Sequence, residues 1–132
     1  MQELRLQHLC TLDIMVGRMQ AIGAGPQGER RIAEVTGGTF QGPRLNGRIL
    51  PGGADWILVR SDGVTQLDVR VTLETNDGAL IYLSYRGLRH GPPEVMEKLA
   101  RGETVSPSDY YFRTTPVFET GAPPYLWLNK II

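Results

Sequence analysis

Between Asp68 and Glu74 the chain reads Asp-Val-Arg-Val-Thr-Leu-Glu, alternating charged or polar residues with aliphatic ones. Successive side chains of an extended strand point to opposite faces. Asp68, Arg70, Thr72 and Glu74 therefore share one face, and Val69, Val71 and Leu73 share the other. A guanidinium placed between two carboxylates can grip a carboxylate, phenolate or enolate by a forked contact, which makes Arg70 a ligand-binding candidate. A Glu74 withdrawn from water is a candidate general base, and Asp68 is the second candidate proton carrier. Tyr82, Tyr111, Arg113, Tyr125, Trp127 and Asn129 are candidate wall residues: aromatic bodies stack on a flat ligand, and hydroxyl, indole, guanidinium or amide tips orient it. The competing readings are a polar face that simply meets water, or an internal ladder of ion pairs.

Other chemistries have weaker footing. The histidines, His8 and His90, stand in no spacing that recruits zinc or builds a Ser-His-Asp arrangement, so no metal is expected. Cys10 lies in an alternating strand-like run and reads as a small hydrophobe; a lone cysteine cannot form an intramolecular disulfide. The Gly-x-Gly at Gly23 to Gly25 is followed by Pro26 and by no amphipathic helix, so it lacks the helix N-terminus of a phosphate cradle, and no cofactor is expected. Fourteen Lys and Arg balance fourteen Asp and Glu in an interspersed pattern, which leaves no footprint for nucleic acid or a membrane surface. With no signal peptide or apolar span in sight, a cytoplasmic location is expected.

The elements that must position these residues are short and β-prone. The 132 residues, 41% of them hydrophobic, suit one domain over 1–132. Leu4, Leu6, His8, Cys10, Leu12 and Ile14 share one parity and predict a first strand ending before Gly17. Gly23 to Gly28 has the composition of a mobile loop, a candidate lid. Trp56 to Arg60, Thr65 to Thr75 and Ala79 to Tyr85 predict a three-stranded meander through Asp62-Gly63 and Asn76-Asp77-Gly78, strong hairpin signals. Pro92-Pro93 and Gly102 bracket one short helix with a Glu94–Lys98 pair. Tyr110 to Thr115, Val117 to Thr120 and Tyr125 to Asn129 predict further strands, broken at Pro116 and at Gly121-Ala122-Pro123-Pro124. Many short strands, glycine corners and one brief helix predict an all-β, antiparallel, closed or nearly closed barrel.

Several motifs in fixed order carry a resemblance: Gly37-Gly38-Thr39-Phe40, Gly42-Pro43, Gly47, Leu50-Pro51-Gly52-Gly53-Ala54-Asp55-Trp56, Tyr111-Phe112-Arg113-Thr114-Thr115-Pro116, Phe118-Glu119-Thr120 and Tyr125-x-Trp127-Leu128-Asn129. The chain resembles the uncharacterised family catalogued as domain of unknown function 3237 over nearly its whole length. The resemblance implies a small calycin- or lipocalin-like β-barrel, and it places the Asp-x-Arg and Glu-Thr positions among the recurring residues, which favours their face as the lumen. It also implies a further strand or two beyond Trp-Leu-Asn, and a partner subunit covering the gap is one way to complete the barrel. The expected function is small-molecule binding, extending to a cofactor-free lyase, isomerase or hydrolase acting on an aromatic or polyketide-like anion. The alternative is a structural or assembly protein whose barrel is filled by its own side chains. In either case a homodimer or larger homo-oligomer is expected.

Overall fold

The structure is a computed structural model that describes residues 1–132. Seven antiparallel strands form one sheet: β1 (Thr11–Gly25), β2 (Gly28–Gln41), β3 (Gly47–Ile49), β4 (Ala54–Val59), β5 (Thr65–Thr75), β6 (Leu80–His90) and β7 (Tyr111–Glu119). The order is β1-β2-β3-β5-β6-β7, with β4 filling the position beside β3 between β2 and β5. The helix α1 (Pro93–Ala100) and 3₁₀ segments at Pro107–Asp109 and Pro123–Lys130 complete the chain. The expected meander and short helix are present. Of the expected closed or nearly closed barrel, the structure shows the all-β antiparallel sheet; its ends, β1 and β7, do not pair with each other.

The glycines make the corners. The register of β2 against β1 shifts just past Gly37, where Thr36 has no partner, and Gly38 holds φ +140° in contact range of the opposing strand: a Cβ there would lie 2.1 Å from the Asp13 carbonyl oxygen. No other residue fits that approach. Pro51-Gly52-Gly53 separates β3 from β4, and a Cβ on Gly53 would meet the Arg70 carbonyl oxygen of β5 at 2.2 Å. Here close packing, not a positive φ, demands glycine.

Several boundaries differ from the sequence expectation for identifiable reasons. Residues 4–8 have the alternation of a strand but no partner, because β2 ends at Gln41 opposite Thr11; Leu4 and Leu6 are exposed. Alternation without a ladder is not a strand. Beyond Gly17 the strand continues through register shifts at Val16/Met19 and Ala21/Gly23. The expected loop at Gly23–Gly28 is a tight hairpin in which Gly25 faces Gly28. Pro116 does not split β7, since an end strand needs ladder bonds on one side only. Tyr125 to Asn129, expected as a strand, lies in the C-terminal 3₁₀ segment, whose Pro123 and Pro124 occupy the first turn as a helix start permits.

The aliphatic face of β5 is the core face. Val69, Val71 and Leu73 pack with Val35, Phe40, Leu45, Ile49, Ile81, Leu83, Phe118 and Leu128. Leu128 is wholly buried, so the C-terminal 3₁₀ segment serves as a plug on the core. Asn129 ties that plug down. Its amide nitrogen donates to the Thr120 carbonyl at 2.9 Å, and its amide oxygen accepts from the Thr120 N–H at 2.8 Å. The polar face of β5 lies on the opposite side of the sheet.

Candidate functional site

On that opposite side a groove of about 650 Å³ runs across the sheet from β2 and β4 to β7. The register explains its lining. Asp68 pairs with Arg86, and Arg86 with Thr115; Gln66 pairs with Leu88, and Leu88 with Arg113, so these side chains share one face across β5, β6 and β7. Leu58 opposite Gln66 and Arg30 opposite Leu58 extend that face to β4 and β2, and Trp56 stands beside them. A shallower depression of about 380 Å³ adjoins it, sharing Asp68, Arg86 and Thr115 and adding Arg70, Tyr82, Ser84, Tyr85 and Val117.

Charge is the dominant property of this surface. Arg30, Arg86 and Arg113 line the groove together with a single carboxylate, Asp68, and Arg70 lies next door. None of these five residues joins an ion pair; the pairs in the chain are Arg5–Glu3, Arg31–Glu29, Arg48–Glu74, Arg60–Asp62 and Arg101–Glu103. The Arg30 guanidinium donates to the Trp56 carbonyl at 3.0 Å and to the Gln27 side-chain oxygen at 3.4 Å, two neutral acceptors that hold it without compensating its charge. Arg70 lies 5.5 Å from the Trp56 ring centroid and Arg113 lies 5.3 Å from that of Tyr111; His90 in turn stacks on Tyr111 at 4.8 Å. Aromatic faces of this kind hold guanidinium planes in place without neutralising them.

The candidates from sequence therefore separate. Asp68, Arg70, Tyr82, Tyr111 and Arg113 come together on the groove face. Glu74 does not line it, because Arg48 of β3 sits directly opposite and its Nε donates to the Glu74 carboxylate at 2.8 Å. Tyr125 and Trp127 pack against the core instead; Tyr125 donates its hydroxyl to Asp77 at 2.9 Å, and Trp127 carries Arg44 over its ring at 4.3 Å. Asn129 is the Thr120 clasp. Sequence reasoning passed over Arg30 and Trp56, although Trp56 has the parity of Asp68 once β4 and β5 are in register. Arg86 has no role in the sequence reading either, yet it faces Asp68 and reaches both depressions.

Asp55 lies beneath the groove. The β4–β5 ladder pairs Asp55 with Val69 and resumes at Leu58 with Gln66. In the lapse between, the Asp55 carboxylate accepts the Asp68 N–H at 3.1 Å. Burial pushes the Asp55 carboxyl up, against the opposing pull of that hydrogen bond and of the nearby Arg89 cation.

Fold and groove together define a small, all-β antiparallel protein with an arginine-lined groove on one face of its sheet. The chain belongs to the family described as protein of unknown function (DUF3237), which it matches over residues 4–132. A UPF0311 protein of Rhodopseudomonas palustris is 40% identical over 129 residues, covering 98% of this chain and 84% of that one. A UPF0311 protein of Clostridium acetobutylicum is 37% identical over 132 residues, covering 99% and 84%. Among solved structures, a conserved protein of unknown function from Rhodopseudomonas palustris superimposes with a TM-score of 0.84 at 39% identity, covering 92% of this chain and 79% of that one. A protein of Acinetobacter baumannii described as beta-barrel like gives 0.73 at 43% identity, covering 96% and 86%. An enzyme from Penicillium herquei shares the fold at 19% identity, with a TM-score of 0.67 over 92% of this chain and 74% of that one. No helix is long and apolar enough to cross a membrane.

Proposed function

We propose that the groove binds a flat, anionic small molecule, aromatic or polyketide-like, with Arg30, Arg86 and Arg113 holding its charge and Trp56 and Tyr111 its rings. One observation carries the reading: three guanidiniums converge on about 650 Å³ with one carboxylate and no ion pair among them. Uncompensated cations in a groove favour an anionic guest, and forked guanidinium contacts favour carboxylate, phenolate or enolate oxygens. Asp68 is the one carboxylate placed to exchange a proton with such a guest. That extends the proposal to cofactor-free lyase, isomerase or hydrolase chemistry, in which Asp68 accepts a proton and Arg86 stabilises the resulting oxyanion. A cytoplasmic location, expected from the lone cysteine, remains part of this reading.

The test is calorimetric titration with 2-naphthoate. Binding that Arg86→Ala weakens at least tenfold, and that Arg101→Ala leaves unchanged, supports the groove. Equal affinities in all three proteins overturn it.

A second reading, assembly without a ligand, is favoured by a different observation. The core face is filled by the chain's own side chains, while both end strands present free edges with Met15, Val16 and Val117 exposed. Such edges are pairing surfaces for another copy of the chain.

A further inference from the structure

The depression of about 380 Å³ beside the groove lies on the same face of the sheet, and the register fixes how its arginine stands to those of the groove. Arg113 pairs with Leu88, Arg86 with both Asp68 and Thr115, and Arg70 with Ser84. Arg113 on β7, Arg86 on β6 and Arg70 on β5 are thus each displaced from the next by one strand and by two residues along it. They form a diagonal. Diagonal neighbours on one face of an antiparallel pair stand about 7–8 Å apart, so a single carboxylate cannot bridge from Arg113 to Arg70.

Charge along this line is not balanced from within the fold. The two cavities together offer Arg30, Arg70, Arg86 and Arg113 against one carboxylate, Asp68, which lines both. None of these arginines joins an ion pair. A monoanion seated in the groove leaves Arg70 unmatched, because Arg70 lines the depression alone. The depression also has neutral donors: Ser84, the direct partner of Arg70 on β6, and Tyr82 both bring hydroxyls to it. Arg70 is held rather than loose. Its guanidinium lies 5.5 Å from the centroid of the Trp56 ring, and Trp56 lines the groove, so one ring serves both cavities. Asp68, Arg86 and Thr115 line both as well, which makes them the boundary that a long ligand would cross.

We propose that groove and depression are two halves of one site, whose ligand is a flat dianion with its acidic groups at opposite ends; this rests on the groove's being an anion site. Arg86 and Arg113 hold one group in the groove. Arg70 holds the other in the depression, with the Tyr82 and Ser84 hydroxyls donating to it. Tethering the two groups makes the second contact intramolecular, so a dianion of the right span gains affinity over a monoanion and over a dianion whose groups are adjacent. Asp68 sharpens the choice. It lines the boundary between the halves and repels a carboxylate placed there, which favours guests that carry their charge at the ends.

The experiment is calorimetric titration with 2-naphthoate, naphthalene-2,6-dicarboxylate and naphthalene-2,3-dicarboxylate. The 2,6-isomer carries its carboxylates at opposite ends of the rings, and the 2,3-isomer has the same charge with the carboxylates adjacent. The expected result is one 2,6-dicarboxylate per chain, bound at least tenfold more tightly than either of the others. Arg70→Ala should erase that advantage, bringing the 2,6-isomer to within about twofold of 2-naphthoate, while Arg101→Ala should leave the advantage intact. An advantage that the 2,3-isomer shares, one that survives Arg70→Ala, one that Arg101→Ala removes as well, or a 2,6-isomer no tighter than 2-naphthoate overturns the proposal. The two readings fail separately. If 2-naphthoate binds and responds to Arg86→Ala, the groove stands as an anion site whatever the dicarboxylates do; if none of the three ligands binds, both readings fall.

Discussion

At the scale of single residues, the fate of a charge is decided by its cross-strand neighbour. Glu74 and Asp68 share a face of β5, yet Arg48 stands opposite Glu74 and pairs with it, while Asp68 faces Arg86 and makes no ion pair. This difference predicts that Glu74→Gln leaves anion binding in the groove unchanged, whereas Asp68→Asn strengthens it severalfold by removing the one negative charge among the guanidiniums. Calorimetric titration of both variants with 2-naphthoate separates them. Asp55 supplies a pH prediction. Its folded pKa lies above the ordinary 3.8, so over the interval between the two values the folded state binds more protons than the unfolded state. Stability from this group is therefore lost as pH rises through that interval and is flat outside it. Asp55→Asn keeps an oxygen to accept the Asp68 N–H but does not titrate. Melting temperatures of the two proteins from acid to neutral pH should accordingly converge on, or cross in favour of, the variant as pH rises. Parallel curves would mean that Asp55 is not desolvated.

At the scale of elements, the sequence was legible wherever local chemistry suffices and illegible wherever a partner decides. Asp62-Gly63 and Asn76-Asp77-Gly78 specify their turns alone, and Gly63 and Gly78 both adopt φ +86°. Residues 4–8 carry as clear an alternation as any strand, but no neighbouring strand reaches them. Tyr125 to Asn129 is β-prone in composition; the deciding factor is the core, which accepts Leu128 from a 3₁₀ turn that Asn129 clasps to Thr120. The groove was half legible for the same reason. The parity of Asp68 and Arg70 can be read along one strand, while the convergence of Arg30 and Trp56 on them depends on how β2 and β4 register against β5. Two substitutions probe these tertiary decisions. Leu128→Ala should cost about 3 kcal/mol, the usual range for emptying a fully buried leucine site. Gly38→Ala should cost at least about 2 kcal/mol, because it combines a positive φ with a Cβ driven into the Asp13 carbonyl. Gly52→Ala is its control: the same kind of φ, +104°, meets nothing within 4 Å, so it should cost only about 1 kcal/mol. Urea unfolding of the three variants orders them directly.

At the scale of the whole molecule, the sheet has two ends and each is defended differently. β7 pairs in unbroken register with β6, and Pro116 in its middle removes one backbone donor. β1 is defended by its register shifts, which fall at Met15/Val16, Val16/Met19 and Ala21/Gly23 and twist that part of the edge away from a regular partner. The N-terminal part of β1, from Thr11 to Met15, runs in regular register against Gln41 to Gly37 and has neither defence. It carries Met15 at 62% exposure, beside Val16 at 57%. A homo-oligomer formed by edge pairing should therefore use this segment, with the exposed methionine and valine covered by a second copy. Sedimentation at micromolar concentration should show a dimer or larger species. Met15→Lys should dissociate it, since a charge on an edge strand opposes strand addition, while Val117→Lys on the proline-guarded edge should leave it intact. A monomeric wild-type protein removes the assembly reading altogether. An oligomer that Val117→Lys breaks and Met15→Lys spares would move the interface to β7, and with it to the side of the sheet where Val117 borders the shallower depression beside the groove.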